Sequence, residues 1–106
     1  MKIEVGKKYK VKSIDWMKKN GKINKGISGR IDFEDGFYSI VHDEHLLNKY
    51  FPQRVVVINK VYIETKMKYA EVYVPHTSRD MLSIPFSCLY SSLDLLKEIH
   101  EKINEV

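Results

Sequence analysis

Apolar and polar residues alternate along much of this chain. From Lys7 to Ile14 it reads Lys-Lys-Tyr-Lys-Val-Lys-Ser-Ile, with Tyr9 and Val11 on one face and Lys8, Lys10 and Lys12 on the other. A period of two predicts a strand with one wet, cationic face. The pattern then dissolves: Asp15 to Gly36 is punctuated by Gly21, Gly26, Gly29 and Gly36, which predicts a long loop with a short strand near Ile27 to Phe33. Phe37 to Val41 has the apolar content of another short strand. After it, Leu46, Leu47, Tyr50 and Phe51 fall at helical spacing, with His42 or Asp43 as the cap and Pro52 as the stop.

The segment Val55 to Ile63 is apolar on both faces and rich in β-branched residues, so it reads as a central strand; Asn59-Lys60 interrupts it and marks a bulge or bend that lets a small sheet curl into a barrel. Glu64 to Lys68 reads as a hairpin loop. The returning strand, Tyr69 to Val74, sets Ala70, Val72 and Val74 against Tyr69 and Tyr73. Pro75 to Asp80 turns into a strand at Met81 to Ile84. From Ser91 onward Leu93, Leu96, Ile99 and Ile103 form the stripe of an amphipathic helix, with Ser91 and Asp94 in capping-box spacing.

A chain of 106 residues supports one core, and 43% hydrophobic with 30% charged residues is a globular balance. The expected fold is mainly β: a partly open small β-barrel over residues 1–90 with one short internal helix, and a C-terminal α-helix over 91–106 packed on the same domain. Val55-Val56-Val57-Ile58 is far short of the roughly 20 apolar residues that cross a bilayer. The N-terminus lacks the apolar core and cleavage site of a signal peptide. A single cysteine, Cys88, cannot form an internal disulfide, and the expectation is a cytoplasmic protein.

The order of strands, ending in Ser83-Ile84-Pro85-Phe86-Ser87-Cys88-Leu89, resembles the Src-homology-three-like small barrel. Ile84, Pro85 and Leu89 match the stretch of that family in which a tight turn leads into the last strand. Cys88 stands where the family carries a ligand-binding tyrosine, and its early aromatic stretch has no counterpart near Tyr9, so proline-peptide recognition is not carried over. Val5-Gly6-Lys7-Lys8-Tyr9-Lys10-Val11 also resembles the opening of small barrel proteins of bacteriophages, which implies a phage or mobile-element accessory protein.

Charge gives the first functional lead. Residues 1–30 hold ten Lys or Arg against two acids, whereas the rest holds eight against twelve. Such polarity orients a molecule toward a polyanion. The candidate nucleic-acid contacts are Lys7, Lys8, Lys10, Lys12, Lys18, Lys19, Lys22, Lys25 and Arg30, with Trp16 or Tyr9 as a stacking ring. Lysine in place of arginine favours backbone contact over base readout, so no sequence specificity is expected. The alternative is a protein-interaction module, such as an inhibitor of a host enzyme, using Tyr69, Tyr73 and a sheet edge.

Catalytic chemistry finds little purchase, and the chain reads as a non-enzyme with no cofactor. His42 and His45 are three apart beside Asp43 and Glu44, yet a third metal ligand is missing and helix-start polarity accounts for both. Cys88 with His76 or His100 lacks a third orienting group, which favours a core thiol. Gly26-Ile27-Ser28-Gly29 has the Gly-x-x-Gly form of a nucleic-acid clamp, but its flanks are not the two amphipathic helices that module needs.

Overall fold

In a computed structural model, residues 2–50, 54–76 and 80–90 are described. The C-terminal helix expected from Ser91 onward lies outside them. Among these residues, seven strands form two antiparallel sheets. One carries β1 (Lys8–Lys10), β5 (Val55–Ile63), β6 (Lys68–Tyr73) and β7 (Leu82–Pro85) in that order. The other carries β2 (Lys22–Ile23), β3 (Arg30–Phe33) and β4 (Gly36–Ser39).

The mainly β expectation holds, but the sheets do not close into a barrel. Over Asp15 to Gly36, where a long loop with one short strand is expected, the described residues form a helix and most of a three-stranded sheet, in which the expected strand is the middle one. The four-stranded sheet leads back toward its first strand only through the single bridge Val11↔Leu89, because the tight 3-10 turn Phe86–Cys88 interrupts the chain after β7. The expected bulge is present: the β5–β6 register shifts between Ile58 and Lys60. Among the described residues no helix is long and apolar enough to cross a membrane.

Where a long loop is expected from Asp15, the chain forms α1 (Ile14–Asn20). Ser13 caps it by accepting the Trp16 amide at 3.1 Å, Asp15 lies in its first turn and Lys18 and Lys19 in its last, and Met17 is fully buried. Gly21 ends the helix beneath the small sheet. A Cβ there would overlap Ile31 Cγ2 and come within 2.8 Å of Phe33 Cζ and 2.9 Å of the Met17 carbonyl oxygen. Gly21→Ala is therefore expected to cost about 1–3 kcal/mol through overpacking. Urea unfolding measures it, and an unchanged midpoint would show that the helix and sheet separate freely.

The second helical segment begins as α2 (Ile40–His42), earlier than His42, and continues as a π-helical turn, Asp43–Leu47, and a 3-10 turn, Asn48–Tyr50. Its cap is Ser39, which accepts the His42 amide, and neither His42 nor Asp43 fills that role. Asp43 is instead fully buried. It accepts the Tyr38 hydroxyl and two hydrogen bonds from Arg54, at 2.9 and 2.7 Å, while Arg54 Nη2 also donates to the Lys12 carbonyl at 3.0 Å. This network ties β4, the π-helical turn, the entry to β5 and the end of β1 together. A second tie is Asp35, whose carboxylate accepts the Ser87 amide at 2.8 Å and hydroxyl at 2.6 Å, so the β3–β4 turn is held on the large sheet.

Candidate functional site: the outer face of the large sheet

The period-two alternation sorts the large sheet into two faces. Inward lie Tyr9, Val56, Ile58, Ala70, Val72, Leu82 and Ile84, all part of or packed on the core. Lys8 and Lys10 in β1 therefore point outward, opposite Val57 and Val55.

Beyond the bulge the same outer face continues through Lys60 and Tyr62 of β5 and through Tyr69, Glu71 and Tyr73 of β6, since Lys60 pairs with Glu71, Tyr62 with Tyr69 and Val57 with Tyr73. Tyr62 and Tyr69 stack with centroids 4.8 Å apart and an interplanar angle of 17°. The Lys60 ammonium lies 5.0 Å from the Tyr62 ring centroid. The one carboxylate among these residues, Glu71, accepts a hydrogen bond from the Asn59 amide at 2.9 Å. The sheet thus presents Lys8, Lys10 and Lys60 among Tyr62, Tyr69 and Tyr73.

At the far side, β4 approaches β7. Gly36, at φ 149°, brings its backbone against Pro85, where a Cβ would lie 3.5 Å from Pro85 Cγ. Beyond that point the strands enclose a cleft of about 380 Å³. Phe37, Met67, Tyr69 and Met81 give it apolar walls, and Ser39, Ser83 and His42 add polar groups.

The basic residues expected to act together are only partly brought together. Lys8 and Lys10 share the outer face, and Lys12 follows at its margin. The Lys12 ammonium lies 4.0 Å over the Trp16 ring and 5.6 Å from that of Tyr90, while Lys10 lies 5.7 Å from Tyr90. Lys7 pairs with Glu4 at 2.5 Å, and this contact draws the Glu4 carboxyl below its ordinary range. Arg30 binds Asp32 at 2.8 Å and covers the Phe37 ring at 4.2 Å; its hydrogen bond, followed by that of Asn24, lowers the Asp32 pKa. Lys18 lines a groove with Glu44, Lys22 borders another with Trp16 and Phe33, and Lys19 and Lys25 are exposed on α1 and on the loop after β2.

The rings nominated from sequence are engaged within the fold. Trp16 stacks on Phe33 at 6.1 Å under Lys12. Tyr9 packs on the core, and its hydroxyl accepts the Glu4 amide at 3.0 Å. The Gly26–Gly29 stretch is a turn organised by Asn24, whose Oδ1 accepts the Gly26 and Ile27 amides. Lys60 and Tyr62 are absent from the sequence-derived set. The signal that finds them is the bulge: it carries Lys60 and Tyr62 onto the face of Tyr69 and Tyr73.

Among the described residues, no three His, Cys, Asp or Glu side chains gather in a way that would hold a metal ion. Cys88 is fully buried, and burial, followed by the Asp35 charge, pushes its thiol well above the ordinary value. Tyr38 is raised further, first by burial and then by Asp43. Both groups hold their protons more tightly folded than unfolded. Their contribution is therefore complete below the unfolded thiol pKa of about 8.5, and it is lost as pH climbs past that value and past about 10, where unfolded tyrosine ionises. The thermal midpoint is expected to fall steadily above about pH 8.5, and Cys88→Ala to flatten the first part of the fall. A midpoint constant into strong alkali would contradict this account.

Comparison with known proteins returned no match to any family model, to any curated protein or to any solved structure.

Proposed function

We infer that this protein is a non-catalytic binding module that holds single-stranded nucleic acid across the outer face of its large sheet. The observation that carries the reading is the sharing of one sheet face by Lys8, Lys10 and Lys60 with Tyr62, Tyr69 and Tyr73. Lysines two residues apart on a strand are separated by about 7 Å, a spacing suited to successive phosphates of an extended strand. Released counterions supply affinity there, and Tyr69 and Tyr73 are the rings on which bases of any sequence would stack, Tyr62 being engaged by Tyr69 and Lys60.

Lys12, at the margin of this face, extends the cationic track, whereas the pairing of Lys7 with Glu4 and of Arg30 with Asp32 reduces their share of the field. The 3-10 turn Phe86–Cys88 before the Leu89 bridge supports the Src-homology-three-like likeness, and the Val5-Gly6 opening supports a phage or mobile-element accessory role.

Fluorescence anisotropy with a labelled oligothymidylate tests the proposal. With three lysines on phosphates, the logarithm of the binding constant is expected to fall against the logarithm of salt with a slope of about −2. Binding indifferent to salt would refute it.

A second reading, a protein-interaction module such as an inhibitor of a host enzyme, draws on the exposed apolar side chains of Phe37, Met67 and Met81 in the cleft. It requires binding that survives salt and depends on those residues.

A further inference from the structure

We propose that the cleft between β4 and the β6–β7 edge receives one unpaired nucleobase of the bound strand, and so makes the protein selective for single strands over duplexes. The inference rests on the nucleic-acid reading above and adds to it where a base goes. Tyr69 belongs to both features: it stacks on Tyr62 in the tyrosine row and lines the cleft. A strand following the lysines therefore reaches the cleft without leaving the sheet face.

The lining suits a flat, mostly apolar ring with a polar rim. Phe37, Met67 and Met81 are 49%, 39% and 40% exposed, so three large apolar side chains meet water in one place. Burying them under a ligand is favourable, and methionine adapts its shape to an aromatic partner. Ser39 and Ser83 offer hydroxyls to the edge of a base. A volume of about 380 Å³ lies in the range of small-ligand sites and accommodates a base with part of its sugar.

Charge selects this occupant. None of the lining residues is acidic. Cations lie beside two of the cleft walls: the Lys60 ammonium is 5.0 Å from Tyr62, the ring stacked on Tyr69, and the Arg30 guanidinium, although paired with Asp32, lies 4.2 Å over Phe37. A base inside a duplex has both faces stacked and its edge paired, so it enters only after paying to be unstacked.

The test uses the full chain with three polyanion probes: a short oligothymidylate, the same strand annealed to its complement, and an abasic sugar–phosphate strand of equal length. The oligothymidylate is expected to bind about tenfold more tightly than the abasic strand, and more tightly than the duplex. Ser83→Trp, a filling change at an exposed position, should erase that preference while leaving the salt slope and thermal midpoint unchanged.

Equal, salt-dependent affinity for all three probes would overturn the cleft assignment, and the tyrosine stacking with it, and leave the lysine contacts of the sheet face standing. No salt-dependent binding to any probe would overturn both. Binding of an uncharged apolar peptide that Ser83→Trp abolishes, without discrimination between the strands, would reassign the cleft to a protein partner.

Discussion

Arg54→Ala is expected to remove about 3–5 kcal/mol of stability, a large share of the roughly 5–15 kcal/mol that a small domain commonly has. Arg54 is 7% exposed and the Asp43 side chain that it binds is fully buried. Truncation leaves a carboxylate in the interior with only the Tyr38 hydroxyl, and deprives the Lys12 carbonyl of its donor. The cost comes from the stranded charge more than from the lost attraction, so the double change Arg54→Met with Asp43→Leu should recover most of the loss.

Arg54 also sits at φ 39°, a conformation that glycine tolerates better. Arg54→Gly should thus relieve the backbone yet remain strongly destabilised, which separates the role of the charge from that of the turn. Urea unfolding followed by circular dichroism reads all three variants. If Arg54→Ala unfolds within about 0.5 kcal/mol of the parent, the network does not hold the two sheets together.

The second large effect concerns binding. Lys8→Glu combined with Lys10→Glu is expected to lower affinity for an oligothymidylate about 30- to 100-fold at low salt, and to reduce the magnitude of the salt slope by about 1.4. On the proposed reading each change would remove a phosphate contact and add a repulsion, Lys8 lying opposite Val57 on the face of Tyr73 and Lys10 next to Tyr90. Folding should be little affected, because both residues alternate outward from the core. Lys19→Glu with Lys25→Glu, two exposed sites on α1 and on the loop after β2, serves as a control of equal net charge. Equal losses from both pairs would mean that net charge, and not the sheet face, drives association.

The strands of the large sheet are readable before any coordinates, because alternation is a property of near neighbours. Tyr9 and Val11 against Lys8, Lys10 and Lys12, and Ala70 and Val72 against Tyr69 and Tyr73, divide as their period of two requires. The β-branched run from Val55 to Ile63 and the interruption at Asn59-Lys60 are equally local signals, and they appear as β5 and its bulge.

Helix α1 escapes that reading for a physical reason. Seven residues make two turns, too few for a stripe of apolar positions to stand out, and glycines on its far side resemble those of a loop. The cap at Ser13 is the signal that remains. Ser39 is similarly outweighed by the acidic residues after His42, because nothing local indicates that Asp43 turns inward to Arg54.

By itself, then, the sequence determines a mainly β chain, the two-sided character of its strands and the lysines along β1, since each follows from backbone geometry and the residues immediately alongside. Only the tertiary structure decides that residues 22–39 form a second, three-stranded sheet, that Trp16 and Tyr9 are engaged within the fold, and that Phe37 and Tyr69 line one cleft. Those outcomes depend on contacts between residues tens of positions apart, and the chain settles them through burial and pairing that no local pattern records.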